Sequence, residues 1–558
     1  MKKSLFVLCA IAVIGIACIP LSCGNQSSSY VTYPADEGTY YFYDYDGDGN
    51  PDYYFLYDND GYFVSEGSYP NDYPYNPNSN TGTGSPGVQP GTGTQPGTGT
   101  QPGTGTQPGT GTQPGTGTAG PTGTGNPDLK GTTTVNGVTT YTFPSTFPKY
   151  TGVTVTANGQ SIDLYSVKVN NTHVWNPDVN NIRVSIPVGM FDMEADSVDV
   201  VITGLGASPT VRPLAKNVSK TANGGGVKIT LTSTGHYSVE GNNNALFIFA
   251  NPPHEVPANP VRVYNAGEIY DFRGATVSLP SGTVYMAPGS VLRASVKLNS
   301  NTKLVGRGII DGSTLTNWNT AGGNNRKSAQ LPIVTGGENI EIDGISVFDP
   351  DGWAMQIAGS SQVKMDNIKI ISSRCNSDGI SIQSSDNVTI TNSFLRTWDD
   401  GVVIKNYAWN RDSHDINVHD TIFWTDLAQS MEIGFETNKG QSSNPKIYNV
   451  TFKDITVFHA LHKAPISIHN GDNAVISNVT WDNIVVENYA ATEWDYLIDL
   501  TNVPAGQIGG TDSTWTTVQA RGSITCTIKN VTVRQGNAAG KRRQLGQNIN
   551  ATIGPNVP

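Results

Sequence analysis

The chain is predicted to be all-β, a β-sandwich leading into a parallel β-helix. From about Lys130 to Pro253, short runs such as Val198-Asp-Val-Val-Ile and Val227-Lys-Ile-Thr-Leu alternate apolar and polar residues with period two, and turn residues separate them. After about Glu255 the pattern becomes a repeat, and Ile340-Glu-Ile-Asp-Gly-Ile, Val363-Lys-Met-Asp-Asn-Ile, Val388-Thr-Ile-Thr-Asn-Ser, Ile416-Asn-Val-His-Asp-Thr, Val450-Thr-Phe-Lys-Asp-Ile and Val479-Thr-Trp-Asp-Asn-Ile recur at roughly 23 to 34 residues. Segments with the 3.6-residue apolar period of a helix are nearly absent.

The N-terminal region divides by composition. Residues 1–23 have the layout of a bacterial export signal of the lipoprotein type: Lys2-Lys3, an apolar run from Leu5 to Ile19, then Leu21-Ser22-Cys23-Gly24. Cys23 resembles a lipid-accepting cysteine, so the expected location is a lipid anchor at the cell surface or outer membrane, with free secretion as the alternative. The apolar run is short for a membrane span. Residues 24–78 are rich in Tyr and Asp, and about ten of the acidic residues behind the formal charge of -12 lie between Tyr30 and Tyr75. Within them Asp44, Asp46, Asp48 and Asp52 match the first half of a calcium loop, but Phe55 stands where a bidentate Glu is needed, leaving a weak calcium turn or an acidic spacer. Residues 79–125 repeat Thr-Gly-Thr-Gln-Pro-Gly, which has almost nothing to bury and reads as a linker.

Residues 126–255 are the sandwich, 256–535 the β-helix and 536–558 a C-terminal tail. Upstream coils of the helix begin at Ala275-Thr-Val-Ser-Leu and Thr302-Lys-Leu-Val-Gly. Only Cys375 and Cys526 follow the leader, which excludes a disulfide scaffold and suits buried thiols. No basic patch points to nucleic acid.

The chemistry concentrates on Asp378, Asp399 and Asp400. Asp378-Gly-Ile-Ser-Ile-Gln and Asp400-Gly-Val-Val-Ile-Lys match position for position 22 residues apart, one coil of a β-helix, so Asp378 is expected directly beside Asp400. Neighbouring strands lie about 4.8 Å apart, and at that distance two carboxylates repel by roughly 3 kcal/mol at an effective dielectric near 20. Crowding of this kind lifts one pKa and supplies a protonated and an ionised carboxyl together, as glycosidic bond hydrolysis requires. The competing reading is a pair of solvated Asp-Gly turns.

A second strand per coil can be aligned as Asp351 to Gln356, Asp378 to Gln383, Asp400 to Lys405, Gln429 to Gly434 and Ala464 to His469. With Ile380, Ile382, Val402, Ile404, Met431, Ile433, Ile466 and Ile468 inward, the residues Gln356, Gln383, Lys405, Glu432, Ser467 and His469 line one outer face, a groove able to hold several units of a linear polysaccharide. Trp398 is the leading candidate to stack on a sugar ring, ahead of Tyr407, Trp409, Trp424 and Phe435, whereas Trp353 falls on the inward register.

Asn376-Ser-Asp-Gly-Ile380, followed one coil later by Asp399-Asp400-Gly401, resembles the Asn-Thr-Asp and Asp-Asp signatures of polygalacturonase-type glycoside hydrolases (family 28) in the pectin lyase-like group. The sandwich with Asp-Asp-Gly-Val-Val-Ile-Lys and Trp424-Thr-Asp426-Leu-Ala-Gln-Ser-Met-Glu432-Ile-Gly434 is also similar to the dextranase and isopullulanase family (family 49). The resemblance implies a right-handed helix, hydrolysis with inversion, Asp399 as general acid, Asp378 and Asp400 as holders of the attacking water, and no cofactor for catalysis. The Gly-His-Gly and Arg-Ile-Lys motifs of polygalacturonases are missing, and Glu432 and Glu436 disfavour a substrate carboxylate, so a neutral polysaccharide competes with pectin. Alternatives are a polyuronate lyase using Ca²⁺ on the three aspartates with Lys405 as base, and a surface adhesin without catalysis. A monomer is expected.

Overall fold

The computed structural model describes residues 131–171, 183–315 (without the side chains of 273 and 274), 337–406, 411–438, 444–472, 474–490, 496–503, 522–536 and 541–558, with the backbone of five further strands. The chain forms two units. In the first, Ser29–Ala35, Gly38–Asp44, Tyr53–Tyr57 and Phe63–Ser68 pair consecutively as an antiparallel meander. Asp44 ends one of these strands, while Asp46, Asp48 and Asp52, with Cys23, Tyr407 and Trp409, lie outside the described residues.

The second unit contains the sandwich and the helix. One sandwich sheet has seven strands, centred on Val184–Met193 and Asn244–Asn251, and the other has five, centred on Val198–Thr203 and Gly226–Leu231. Alternation sets their faces: in Val198-Asp-Val-Val-Ile the residues Val198, Val200 and Ile202 are wholly buried and meet Ile229, Leu246 and Ile248 between the sheets. The seven-stranded sheet has a second apolar face. Tyr165, Val188, Phe247 and Phe249 pack there on Ile309, Phe348, Phe394 and Trp424 of the helix, so the sandwich is docked along the helix wall.

Among the described residues the helix is one ladder of 26 strands, with parallel pairing from coil to coil, from Arg262–Tyr264 to Ile549–Ile553. It is right-handed, the hand that parallel crossovers adopt. The sequence repeat is its register: Ile340, Val363, Val388, Ile416, Val450 and Val479 are successive Cα partners. Their side chains stack inward with negligible exposure. The turns explain the wealth of Asn. Asn367, Asn392, Asp420, Asp454, Asn483 and Asn530 adopt positive φ at corresponding corners, a conformation that Asn and Asp tolerate better than other residues with a Cβ. Several also bond along the stack, as Asn392 does to Asp366 and Asn483 to Asp454.

Two expectations need correction. Residues 542–553 are not a tail, because Arg542–Gly546 and Ile549–Ile553 add a further pair of strands that cover Leu500 and Ile528. The outer face carries two columns, and the strand of Gln356 sits in a different register from the one aligned. Gln356 pairs with Ser381, not Gln383, and that column continues through Val403, Glu432, Ser467, Asp499 and Arg543. The second column runs through Ala358, Gln383 and Lys405, and from Gly434 to His469 and Thr501. Matching Asp351 to Asp378 shifted that strand by two residues, a slip that conserves side-chain facing and so leaves the inward pattern intact.

Candidate active site

Asp378 and Asp400 each enter the strand that opens a coil, and backbone bonds hold them level: Gly379 N–H donates to Asp400 O at 2.8 Å and Ile380 N–H to Gly401 O at 2.9 Å. The glycines after them serve stacking. A Cβ on Gly379 would lie 2.5 Å from Gly401 O, and one on Gly401 would lie 2.4 Å from Ser430 O. The Asp-Gly pairs therefore mark close coil-to-coil contact rather than solvated turns. Asp399, one residue earlier, swings to the same place. Carboxylate oxygens of Asp378, Asp399 and Asp400 all lie within 4.8 Å of one another.

Asp378 and Asp400 are buried and Asp399 is partly open. Asp399 accepts from the backbone N–H of Asn376 at 3.1 Å and of Asp400 at 3.0 Å, and Asp400 accepts from Gln429 N–H at 3.1 Å. Asp378 takes a bond from Ser381 Oγ at 3.2 Å and faces Lys405 Nζ at 3.6 Å. All three carboxyls titrate above the usual range. Burial is the foremost cause for each, ahead of the mutual repulsion expected from sequence, because loss of water penalises each charge separately. Burial pushes Asp378 up to about 7, with Asp399 and Glu436 adding to the rise and Lys405 opposing it. Asp400 is held well above the usual carboxylate range, by burial and then by Asp399, Asp378 and Glu432.

Lys405 reaches this cluster from the second column. Its Nζ stands 3.1 Å from Glu436 and 4.5 Å from the Trp353 ring centre. Trp353 belongs to the row of Asp378, since Ala354 N–H donates to Asp378 O. The shifted alignment hid this tryptophan, and Glu436 lies past the last strand position aligned from sequence.

The other expected ligand contacts are engaged inside the protein. Gln356 Nε2 donates to Gln383 Oε1 at 2.7 Å, and Gln383 is fully buried. Glu432 and His469 belong to a buried chain of charges: His469 Nδ1 is 2.8 Å from Glu432, its Nε2 is 3.1 Å from Asp499, and Asp499 is held by Arg543. Burial pulls the imidazole pKa down, but the two carboxylates outweigh it and raise His469 to about 10. Asp499 is held below the usual carboxylate range, burial being outweighed by His469 and Arg543. Neither Asp499 nor Arg543 was singled out from sequence, because the aligned strands stopped at His469. Trp398 is fully buried against Cys375 and Leu427, so it supports the aspartate turn from below and offers no face to a sugar. Trp424 packs against the sandwich, whereas Phe435 is partly exposed and stacks on His469 at 4.5 Å. Cys375 and Cys526 are buried thiols without a disulfide.

Known proteins show the same arrangement of sequence. Residues 283–547 match the family described as Glycosyl hydrolases family 28. The chain is similar to an endo-polygalacturonase of Pectobacterium carotovorum subsp. carotovorum, 30% identical over 174 residues, which is 31% of this chain and 40% of that protein. It is also similar to a probable endo-xylogalacturonan hydrolase A of Aspergillus niger, 30% identical over 197 residues, 33% and 46% of the two chains. The chain thus spans less than half the length of these curated relatives. Among solved structures, a polygalacturonase from Erwinia carotovora ssp. carotovora aligns at 18% identity and a TM-score of 0.37, over 52% of this chain and 88% of that one.

Proposed function

We propose, on the premise that the β-helix of this chain belongs to glycosyl hydrolases family 28, that the protein hydrolyses glycosidic bonds of a polysaccharide at Asp378, Asp399 and Asp400. The observation that carries this reading is the convergence of three carboxyls with raised pKa values within 4.8 Å. Such a cluster holds protons at pH values where ordinary carboxylates have lost theirs, so an acid and a base coexist. Asp399 is the general acid, since it is the least buried of the three and so the one that can meet a leaving oxygen. Asp378 and Asp400 hold the attacking water, and ionised Asp378 takes its proton. The family resemblance supports single displacement with inversion, although a carboxyl spacing of about 5 Å is the one found in retaining enzymes. Proton NMR of the first-formed anomer decides between them.

Lys405 supports the same division of labour, because it is the positive charge that most favours ionised Asp378. With Lys405→Met the Asp378 pKa rises above about 7, so the base is ionised only at higher pH. The acidic limb of the kcat/KM profile is therefore expected to move to higher pH by about a unit. A limb that stays in place would remove Asp378 from the base role.

The substrate is a polysaccharide of the pectic kind or a neutral one. The acidic surroundings of Lys405, between Asp378 and Glu436, support the neutral class. A panel of polygalacturonate, xylogalacturonan, dextran and pullulan, read by released reducing ends, tests the function. Hydrolysis persists in chelator and gives no unsaturated product. Chelator-sensitive cleavage with new ultraviolet absorbance would instead favour the lyase, with the aspartates as calcium ligands. The lipid anchor at Cys23, with its membrane location, is part of the same proposal and rests on the leader sequence.

A further inference from the structure

The two loops that carry the aspartates are rooted in two buried arginine–aspartate pairs, and each pair takes a side chain from the sandwich. The loop 372–378 holds Asp378 at its end and donates the Asn376 N–H to Asp399. Its root is Arg374, which bonds Asp349 through Nε and a terminal nitrogen, both at 3.1 Å, and reaches the carbonyls of Leu315 and Gly312 at 3.2 Å. Arg183 of the sandwich closes on the same Asp349 and on Ser373 Oγ at 3.1 Å, while Asn170 donates to Ser373 O at 3.4 Å. The loop 397–400 repeats the plan. Arg396 Nε bonds Asp426 at 2.9 Å, and its terminal nitrogen bonds both Asp426 at 3.1 Å and Asn171 of the sandwich at 2.7 Å. Asp426 and Leu427 then bind the turn itself, through Thr397 O and Trp398 O.

We propose that the sandwich completes the catalytic apparatus, with Arg183, Asn170 and Asn171 as positioning residues that hold the loops 372–378 and 397–400 in register with each other. The inference rests on the hydrolase reading given above. Docking does not need these contacts, since Phe247, Phe249 and Val188 already pack on Phe394, Trp424 and Phe348. What the polar contacts add is direction. Arg374 grips Asp349 as a planar fork, through Nε and a terminal nitrogen, and one terminal nitrogen of Arg183 bridges that carboxylate to Ser373, which fixes a direction where apolar contact alone would allow sliding. The loop 372–378 is braced internally as well, by Ser372 Oγ to Ser377 O at 2.6 Å and Arg374 N–H to Ser377 Oγ at 3.1 Å. It therefore moves as one piece, carrying Asp378 and the Asn376 donor together.

The test is Arg183→Met in the full chain. Asp349 keeps Arg374 in that variant, so no buried carboxylate loses its last partner and folding is retained. The expected result is a kcat lower by about 10 to 100-fold with KM little changed, the size of effect that a misplacement of about 1 Å produces. Arg183→Lys, which keeps a charged donor on a shorter side chain, recovers part of the loss. Asn171→Ala acts in the same direction through the other loop. Hydrogen exchange supplies a readout independent of turnover: the peptide covering 372–378 exchanges faster in Arg183→Met, while peptides of the two sandwich sheets are unchanged. An unaltered 372–378 peptide overturns the inference whatever the activity, and so does a kcat that falls only in proportion to lost folded protein. A wild-type chain that cleaves nothing in the panel counts against the hydrolase reading instead, and the exchange result still decides this one.

Discussion

Asp399→Asn is expected to lower reducing-end release by roughly three orders of magnitude while the chain still binds the same polysaccharide in a pull-down. The amide matches the carboxyl in size but has no proton to give at any accessible pH. Asn376 N–H and Asp400 N–H bond different oxygens of Asp399, so the single amide oxygen keeps one of the two bonds and the other is lost. Retained polysaccharide binding in the pull-down is what separates a loss of chemistry from a displaced loop. Asp378→Asn and Asp400→Asn are expected to lose activity similarly, and the double variant Asp378→Asn with Asp399→Asn only slightly more, because residues that act as a unit are not additive. Substantial turnover in Asp399→Asn would give the acid role to Asp400, whose carboxyl is also held well above the usual range by burial.

His469→Ala is expected to cost about 3 to 5 kcal/mol of stability, the usual consequence of removing one partner from a buried ion pair. Glu432 has no exposure and would keep only the Ser467 hydroxyl, while Asp499 would keep Arg543. The pH dependence is specific. His469 titrates at about 10 in the fold and near 6.5 when unfolded, so its contribution is complete below about 6.5 and vanishes as pH rises through about 10. Asp499 is depressed in the fold, so its contribution is present above about 3.9 and is lost as pH falls. The gap in thermal midpoint between wild type and variant should thus be widest near pH 5 to 6 and close toward pH 10. A gap of constant width across that range would show that packing, not charge, is what His469 supplies.

The helix was legible because its core repeats. Ile340, Val363, Val388, Ile416, Val450 and Val479 had to stack once the period was found, since a slip of one residue turns every apolar side chain outward. A slip of two does not, and that is why Gln356 was matched to the wrong neighbour and Trp353 was set aside. The level pairing of Asp378 with Asp400 was correct because two identical motifs flanked it.

Local pattern thus determined the architecture, the coil register around the aspartates and the likeness of residues 283–547 to glycosyl hydrolases family 28. Exposure was decided only by the tertiary structure. Whether Trp398 faces a sugar or Cys375, and whether His469 meets a ligand or lies between Glu432 and Asp499, depends on what neighbouring coils place over an outward strand position. The same holds for the roots of the aspartate loops, where Arg183 meets Asp349 across 166 residues of chain. Alternation along a strand records which side a residue takes, while its surroundings on that side come from residues distant in sequence, and burial there sets the pKa values of all three aspartates.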